Sequence, residues 1–347
     1  LRKYIKFIIL FLLAAFILWF FGQGLNWNEV RRSLHEANLV EVGLATLLIC
    51  LGYLLRAFRW RTLLAPITET KIKDLFATTT IGFAAVFLFG RAGELVRPMW
   101  LPLRDKRVRP TAALVTIGLE RICDLTAIVV LFSLNLLWFQ APAGRENEFV
   151  YVRQYGIILL VCAIAGIVSL AIFQRFSYSL INFFEPWLKS RTFLPKIVIR
   201  IILSLMKNLA ASLEVVKSVF AFAMTVFWTA CLWLAIAIPT YLVIHAFGLP
   251  LSFSDSLFVM GFSVVGSLVP TPGGAAGAFH AATAAGLIFL NVNRDEAAAV
   301  SIVMHLVYFA PALIFGFYYF LHGDITWQRF RNLVIPDDAA ESKLQFE

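Results

Sequence analysis

Charge is scarce in this sequence. Asp, Glu, Lys and Arg make up 15% of its 347 residues, against roughly a quarter in an ordinary soluble domain. That shortage excludes a chain built mainly of soluble domains with normal surfaces. Cysteine is scarce too: Cys50, Cys123, Cys162 and Cys231 all sit inside apolar segments, with no CxxC spacing. They read as small buried hydrophobes, not as a disulfide framework or a metal site. No Walker loop, HExxH or GxSxG motif occurs, so nothing points to ATP hydrolysis or a known hydrolase. No enzyme activity, metal or cofactor is expected. The formal charge of +9 is spread over short connectors. There is no basic soluble domain with interleaved aromatics, which excludes a nucleic-acid partner.

What the chain has instead is hydrophobic length. Sixty per cent of its residues are hydrophobic and its mean hydropathy is +0.81. A bilayer crossing takes roughly 20 apolar residues, and six runs qualify: 5–21, 39–64, 111–139, 155–173, 220–247 and 297–321. The first follows Arg2, Lys3 and Lys6 as a signal peptide would. It lacks a small-residue cleavage site, since Gly22-Gln23-Gly24 leads into Leu25-Asn26-Trp27, so a retained helix is expected.

Two further apolar stretches, 74–98 and 255–290, carry Gly and Pro where a helix should continue. The first break reads Phe89-Gly90-Arg91-Ala92-Gly93-Glu94-Leu95-Val96-Arg97-Pro98. The second reads Val269-Pro270-Thr271-Pro272-Gly273-Gly274-Ala275-Ala276-Gly277-Ala278-Phe279-His280. Non-helical backbone at membrane depth survives only where protein or a water-filled cavity satisfies it. A paired break in two halves of a chain points to a transport site. Both stretches are therefore expected to be re-entrant helical hairpins.

The positive-inside rule agrees. With the N-terminus cytoplasmic and both stretches re-entrant, the basic connectors around Lys71, Arg107 and Lys196 fall inside, and 248–254, which has no Lys or Arg, falls outside. Arg294 is then an isolated external charge. Making only one hairpin a full span would put a basic cluster outside. The predicted fold is thus all-α integral membrane, with about six spans and two re-entrant hairpins from opposite faces. Asp74, Gly82-Phe83 and Gly90 before Glu120 match Asp255, Gly261-Phe262 and Gly273 before His305, suggesting an inverted repeat. One polytopic domain covers 1–334, ahead of a polar tail at 335–347. Within it 176–218 is expected to lie in the cytoplasmic interface, Ile197, Ile201, Leu205, Leu209 and Leu213 sharing one helical face.

Buried charge gives the candidate site. Glu120 lies roughly 14 Å into its span at 1.5 Å per residue, and ionisable groups at that depth are functional by default. Glu120 and Asp124 share a face; Arg121 points about 100° away. Glu120 is expected to pair with an arginine of the first hairpin or second span and to face a cavity. A helix starting at Gly90 would stack Arg91, Glu94 and Arg97 on one side and offer its N-terminus to an anion. Arg56, Arg59 and Arg61 could all snorkel beside an interfacial Trp60, or Arg56 could face the cavity. The second break offers Gly273, Gly274 and Gly277 for close backbone approach, then His280. His305, about 12 Å into the last span, could titrate or simply hydrogen-bond a neighbouring helix. Arg56, Arg59, Arg91, Arg97 and Arg121 oppose Glu94, Glu120 and Asp124. An anionic guest such as a lipid phosphate would offset that positive surplus.

Arg59-Trp60-Arg61, the Gly90–Pro98 break, Glu120-Arg121 with Asp124, and the Pro270–Gly277 break together resemble the lysylphosphatidylglycerol-synthase transmembrane-region family of flippase-like proteins. The resemblance covers nearly the whole chain in motif order. It implies an integral lipid translocase with re-entrant helices. Together with the charge distribution, the expectation is a multi-pass protein of the bacterial cytoplasmic (inner) membrane with both termini cytoplasmic, whose partners are lipids with phosphate-bearing headgroups; a homo-oligomer is compatible with it. The sequence carries no appended soluble domain for aminoacyl transfer, so synthase activity is not carried over. It departs from relatives that have an acidic residue after the Gly-rich turn, with Phe279 and His280 there instead. The alternatives are an intramembrane polyprenyl-phosphate-sugar glycosyltransferase, for which Glu29 and Glu36 are the only external acids near the first span, and a small organic-anion transporter.

Overall fold

The computed structural model describes residues 12, 15–189, 196–212 and 218–323, and among these the chain is helical with no strand. Of the expected span over 5–21, only residues 12 and 15–21 are described, and they are helical. The tail at 335–347 lies outside the described residues.

The elements are α1 (Trp27–Glu36), α2 (Leu39–Leu64), α3 (Ile72–Phe89), a 3-10 turn (Gly90–Leu95), α4 (Val96–Arg104), α5 (Pro110–Trp138), α6 (Glu146–Lys189), α7 (Lys196–Ser212), α8 (Val219–Ala246), α9 (Phe253–Ser267), α10 (Ala278–Phe289) and α11 (Arg294–Leu321). Their starts follow local chemistry. Asn26, Asn38, Ser218, Ser252 and Asn293 each accept a hydrogen bond from a first-turn backbone N–H, satisfying donors that a helix leaves free. Pro110 opens α5 where its missing N–H does no harm.

Among the described residues, five stretches are long and apolar enough to cross a membrane: Leu39–Leu64, Ile72–Arg104, Glu146–Gly166, Val219–Ala246 and Arg294–Leu321. At about 43 Å, α5 is also long enough, but Glu120, Arg121 and Asp124 interrupt its apolar run.

The stretch Ile72–Arg104 folds back on itself. Arg104 Nε donates to Asp74 Oδ1 at 2.9 Å, joining its two ends. A Cβ at Gly93 would strike the backbone of Ala85 and Val86, and one at Gly82 would strike the Arg97 side chain. α4 therefore returns antiparallel along α3. The second broken stretch does the same. Ser263 and Thr283 hydroxyls bond at 2.9 Å, and Gly266 and Gly286 let α9 and α10 approach to backbone contact.

The two turns meet. Gly90 is in a left-handed conformation (φ 63°) and lies against the Pro270 carbonyl, which a Cβ would crowd at 3.1 Å. Only glycine reaches that φ without strain. Around this junction α2 lies along α8 and α11 along α3, Gly316 packing on the Thr80 carbonyl. One large apolar cluster, including Tyr53, Phe258, Phe279 and Met304, joins α2, α9, α10 and α11. A second, including Trp60, Leu64, Leu75 and Leu101, fixes the first hairpin on α2.

Three expectations need correction. The helix expected over 155–173 runs from Glu146 to Lys189 and takes in residues assigned to the interfacial segment; no glycine or proline stops it between Gly166 and Pro186. The helix expected to begin at Gly90 is a 3-10 turn that only then becomes α4. The four cysteines are free but not fully buried, and Cys162 is exposed on α6. In the α4–α5 connector Arg107 bonds both Asp105 oxygens, at 2.9 and 2.8 Å. Those hydrogen bonds hold the Asp105 carboxyl below the usual carboxylate range.

Gly93→Ala is expected to lose ~1–3 kcal/mol, because its methyl has nowhere to go. Gly118→Ala, with nothing within 4 Å of its Cβ position, should be neutral or slightly stabilising by helix propensity. Thermal unfolding in detergent compares them; equal stability would contradict the close return of α4 on α3.

A charged cavity where two hairpins meet

A cavity of about 440 Å³ lies between the two turns. One wall is charged, with Arg56 from α2, Arg91, Glu94 and Arg97 from the first hairpin, and Arg121 and Asp124 from α5. The other is largely apolar and aromatic, including Phe279, Tyr308 and Phe309. Exposed Leu125 and Leu268 also line it, so the cavity reaches the outer surface between α5 and α9.

Three arginines converge on Asp124. Arg59 Nη1 donates to Oδ1 at 2.6 Å, Arg121 Nη2 lies 3.2 Å from Oδ2, and Arg56 Nη1 lies 4.0 Å from it. Arg59 is fully buried behind the cavity, whereas Arg56 and Arg121 face it. Arg56 also stands over the Phe83 ring at 4.8 Å, a favourable cation–π contact.

Arg97 and Glu120 form a separate pair at 2.7 Å, with 4% and 1% of their surfaces exposed. The Arg97 guanidinium stacks 4.2 Å over Trp60, whose Nε1 donates to Thr116 Oγ1 at 2.9 Å. Gly82 makes room for its stem. Glu120 thus has its partner in the first hairpin but stands behind Arg97 and does not line the cavity. Arg97 points to Glu120, so the expected stack of Arg91, Glu94 and Arg97 is not formed.

Arg91 ties the two hairpins together. Its Nη1 donates to Glu94 Oε1 at 2.6 Å and its Nη2 to the Ser267 carbonyl at 3.1 Å. That carbonyl is at the C-terminal end of α9, where a cation is favoured.

The second turn is held from behind. Gly273, Gly274 and Gly277 have φ of 77°, 65° and 83°. His305 Nε2 donates to the Gly274 carbonyl at 3.1 Å, and His280 Nδ1 accepts from the Gly277 N–H at 3.2 Å. The two rings lie 4.6 Å apart, and neither lines the cavity. Of the three glycines only Gly274 does. Among the described residues, no group of three His, Cys, Asp or Glu side chains could hold a metal. Of the two acids Glu29 and Glu36, Glu36 is bonded to Arg32 at 2.9 Å.

Sequence reasoning passed over Tyr53, placed Trp60 at the interface, and noted Phe83 only as part of the repeat. Trp60 is completely buried, not interfacial, and Arg59 does not snorkel. The signal was present in helical spacing: Tyr53, Arg56 and Trp60 fall at three- and four-residue intervals on one face.

The family model described as "Lysylphosphatidylglycerol synthase TM region" matches residues 7–316. A UPF0104 membrane protein of Pyrococcus horikoshii is 22% identical over 335 residues, covering 91% of this chain and 96% of the relative.

Glu120→Gln is expected to destabilise the fold by ~3–5 kcal/mol, since it leaves the buried Arg97 charge without its partner. Glu94→Gln breaks a pair about one-third exposed and should lose no more than about 1 kcal/mol. Unfolding titrations in mixed micelles read the difference. Similar losses would show that burial does not separate the two pairs.

Proposed function

Because the chain belongs to the lysylphosphatidylglycerol synthase TM region family, we propose that it is a lipid translocase: it carries the polar head of a membrane lipid through the charged cavity while the tails stay in the bilayer. The observation that carries this reading is the cavity itself. It is charged on one wall, it lies where the two broken segments meet, and it reaches the protein surface at the exposed apolar residues Leu125 and Leu268. A lipid head could enter there while its chains lie against apolar surface. A site for a small free anion has no need of such an opening.

In this reading the two hairpins enter the membrane from opposite faces and touch at mid-depth. The antiparallel return of each, and the contact of Gly90 with Pro270, support it. So do the ends of α5: Arg107 precedes its first turn, while Asn135 near its last turn bonds Ser254 at the start of α9. Arg91 is the contact that must yield if the turns part, because it spans both. Buried charge is tolerable here because every carboxylate of the site already has an arginine. A headgroup would meet charge that is already oriented.

The test is reconstitution in vesicles containing a fluorescent short-chain phospholipid in both leaflets. With external quencher, fluorescence should fall below the protected inner-leaflet fraction only when the protein is present. Leu125→Trp combined with Leu268→Trp should slow this several-fold by filling the side opening, with the ion pairs untouched. Cysteines placed at positions 107 and 252 should label from opposite faces. Folded protein that flips no faster than empty vesicles would sink the reading.

A further inference from the structure

Counting charge pair by pair shows where the positive surplus sits. Arg97 is matched by Glu120 and Arg91 by Glu94, one to one. Asp124 alone faces three guanidiniums, those of Arg56, Arg59 and Arg121. Arginine stays protonated in proteins, so this cluster keeps a surplus of two positive charges. The buried Arg59 makes the shortest bond to Asp124, at 2.6 Å. The surplus therefore resides on Arg56 and Arg121, which line the cavity.

Hydrogen-bond donors point the same way. Arg97, 4% exposed and also lining the cavity, has Nε and Nη2 without partners, and buried Nε of Arg121 has none either. A buried donor left unbonded costs about 1–3 kcal/mol, which an acceptor-rich guest would recover. A phosphate group offers oxygens in the bidentate geometry that guanidinium matches.

We infer that Arg56 and Arg121 form a subsite for a doubly charged phosphate, a phosphomonoester or a diphosphate at the end of a lipid, in preference to a singly charged or zwitterionic phosphodiester. This rests on the lipid-translocase reading and narrows it. Two charges neutralise the cluster; a monoanion leaves one positive charge, and a zwitterion leaves both. Asp124 holds the two guanidiniums apart and in place, and competes with the guest for them, which keeps binding reversible. Arg91 contributes none of the surplus, since Glu94 matches its charge and its Nη2 donates to the Ser267 carbonyl.

The experiment is competition against a fluorescent phosphatidate on the full chain in detergent micelles at pH 8, above the second phosphomonoester pKa of about 6. Unlabelled phosphatidate, phosphatidylglycerol and phosphatidylethanolamine of identical acyl chains are the competitors. Phosphatidate is expected to bind about ten-fold or more tightly than phosphatidylglycerol, the equivalent of one charged hydrogen bond. Arg56→Gln and Arg121→Gln should each remove most of that preference. Arg121→Lys, which keeps the charge, should retain more of it than Arg121→Gln and guards against loss through misfolding. Equal or tighter binding of phosphatidylglycerol or phosphatidylethanolamine would overturn the subsite, as would a preference that survives both Gln variants. Inorganic pyrophosphate is the last competitor. If it displaces the probe as well as phosphatidate does, the guest is a free anion and the lipid assignment fails. Flipping of the same lipids separates the two readings. Flipping without charge preference retains the translocase and rejects the subsite; tight phosphatidate binding without flipping does the reverse.

Discussion

The convergence of three guanidiniums on Asp124 is the constraint around which this protein is arranged. A carboxylate at membrane depth is tolerated only when paired, and a guanidinium only when it finds acceptors. α5 supplies the carboxylate and Arg121, and α2 supplies Arg56 and Arg59. The two helices are thereby fixed in register, because a shift of one turn would leave charge in hydrocarbon. Glu120, one turn away, does the same for the first hairpin by taking Arg97. One short stretch of α5 thus positions both the second span and the first break.

With the charges held, the breaks become intelligible. The second hairpin has backbone that a helix would have satisfied, and protein satisfies it. The Ser267 carbonyl receives Arg91, the Gly274 carbonyl receives His305, and the Gly277 N–H is accepted by His280. The histidines serve the turn and do not reach the cavity. The glycines act where the chain must come close: Gly82 under Arg97, Gly93 under α3, and Gly90 against Pro270. The result is a cavity bordered by two turns, the second of them held from behind by His280 and His305. Among the described residues, the side-chain bond that spans the two turns is that of Arg91 to the Ser267 carbonyl.

Much of this was legible residue by residue. Glu120 and Asp124 announced themselves as charges in the middle of an apolar run, and the two breaks by their Gly and Pro. The surplus of arginine over carboxylate was countable. What could not be read was assignment. Arg91, Glu94 and Arg97 share a spacing that would stack them on one helix, yet the 3-10 turn and the pull of Glu120 send Arg97 elsewhere. Arg56, Arg59 and Arg61 look alike as late residues of a span. Arg61 is exposed and Arg59 fully buried, because only Arg59 and Arg56 share the face that meets Asp124.

The sequence by itself determined the class: helices long enough to cross a membrane, two interruptions, and a cluster of charge with no soluble surface to sit on. These follow from composition and periodicity, which act locally and leave their mark at fixed spacing. Only the tertiary structure decided which arginine meets which carboxylate, that the two turns touch, and that His280 and His305 stand behind the turn and not in the cavity. Those choices depend on contacts between residues far apart in the chain, 176 positions in the case of Arg91 and Ser267. Guanidiniums at neighbouring positions carry the same charge and nearly the same reach. Their roles are set by which helix packs opposite them, and a spacing pattern cannot carry that information.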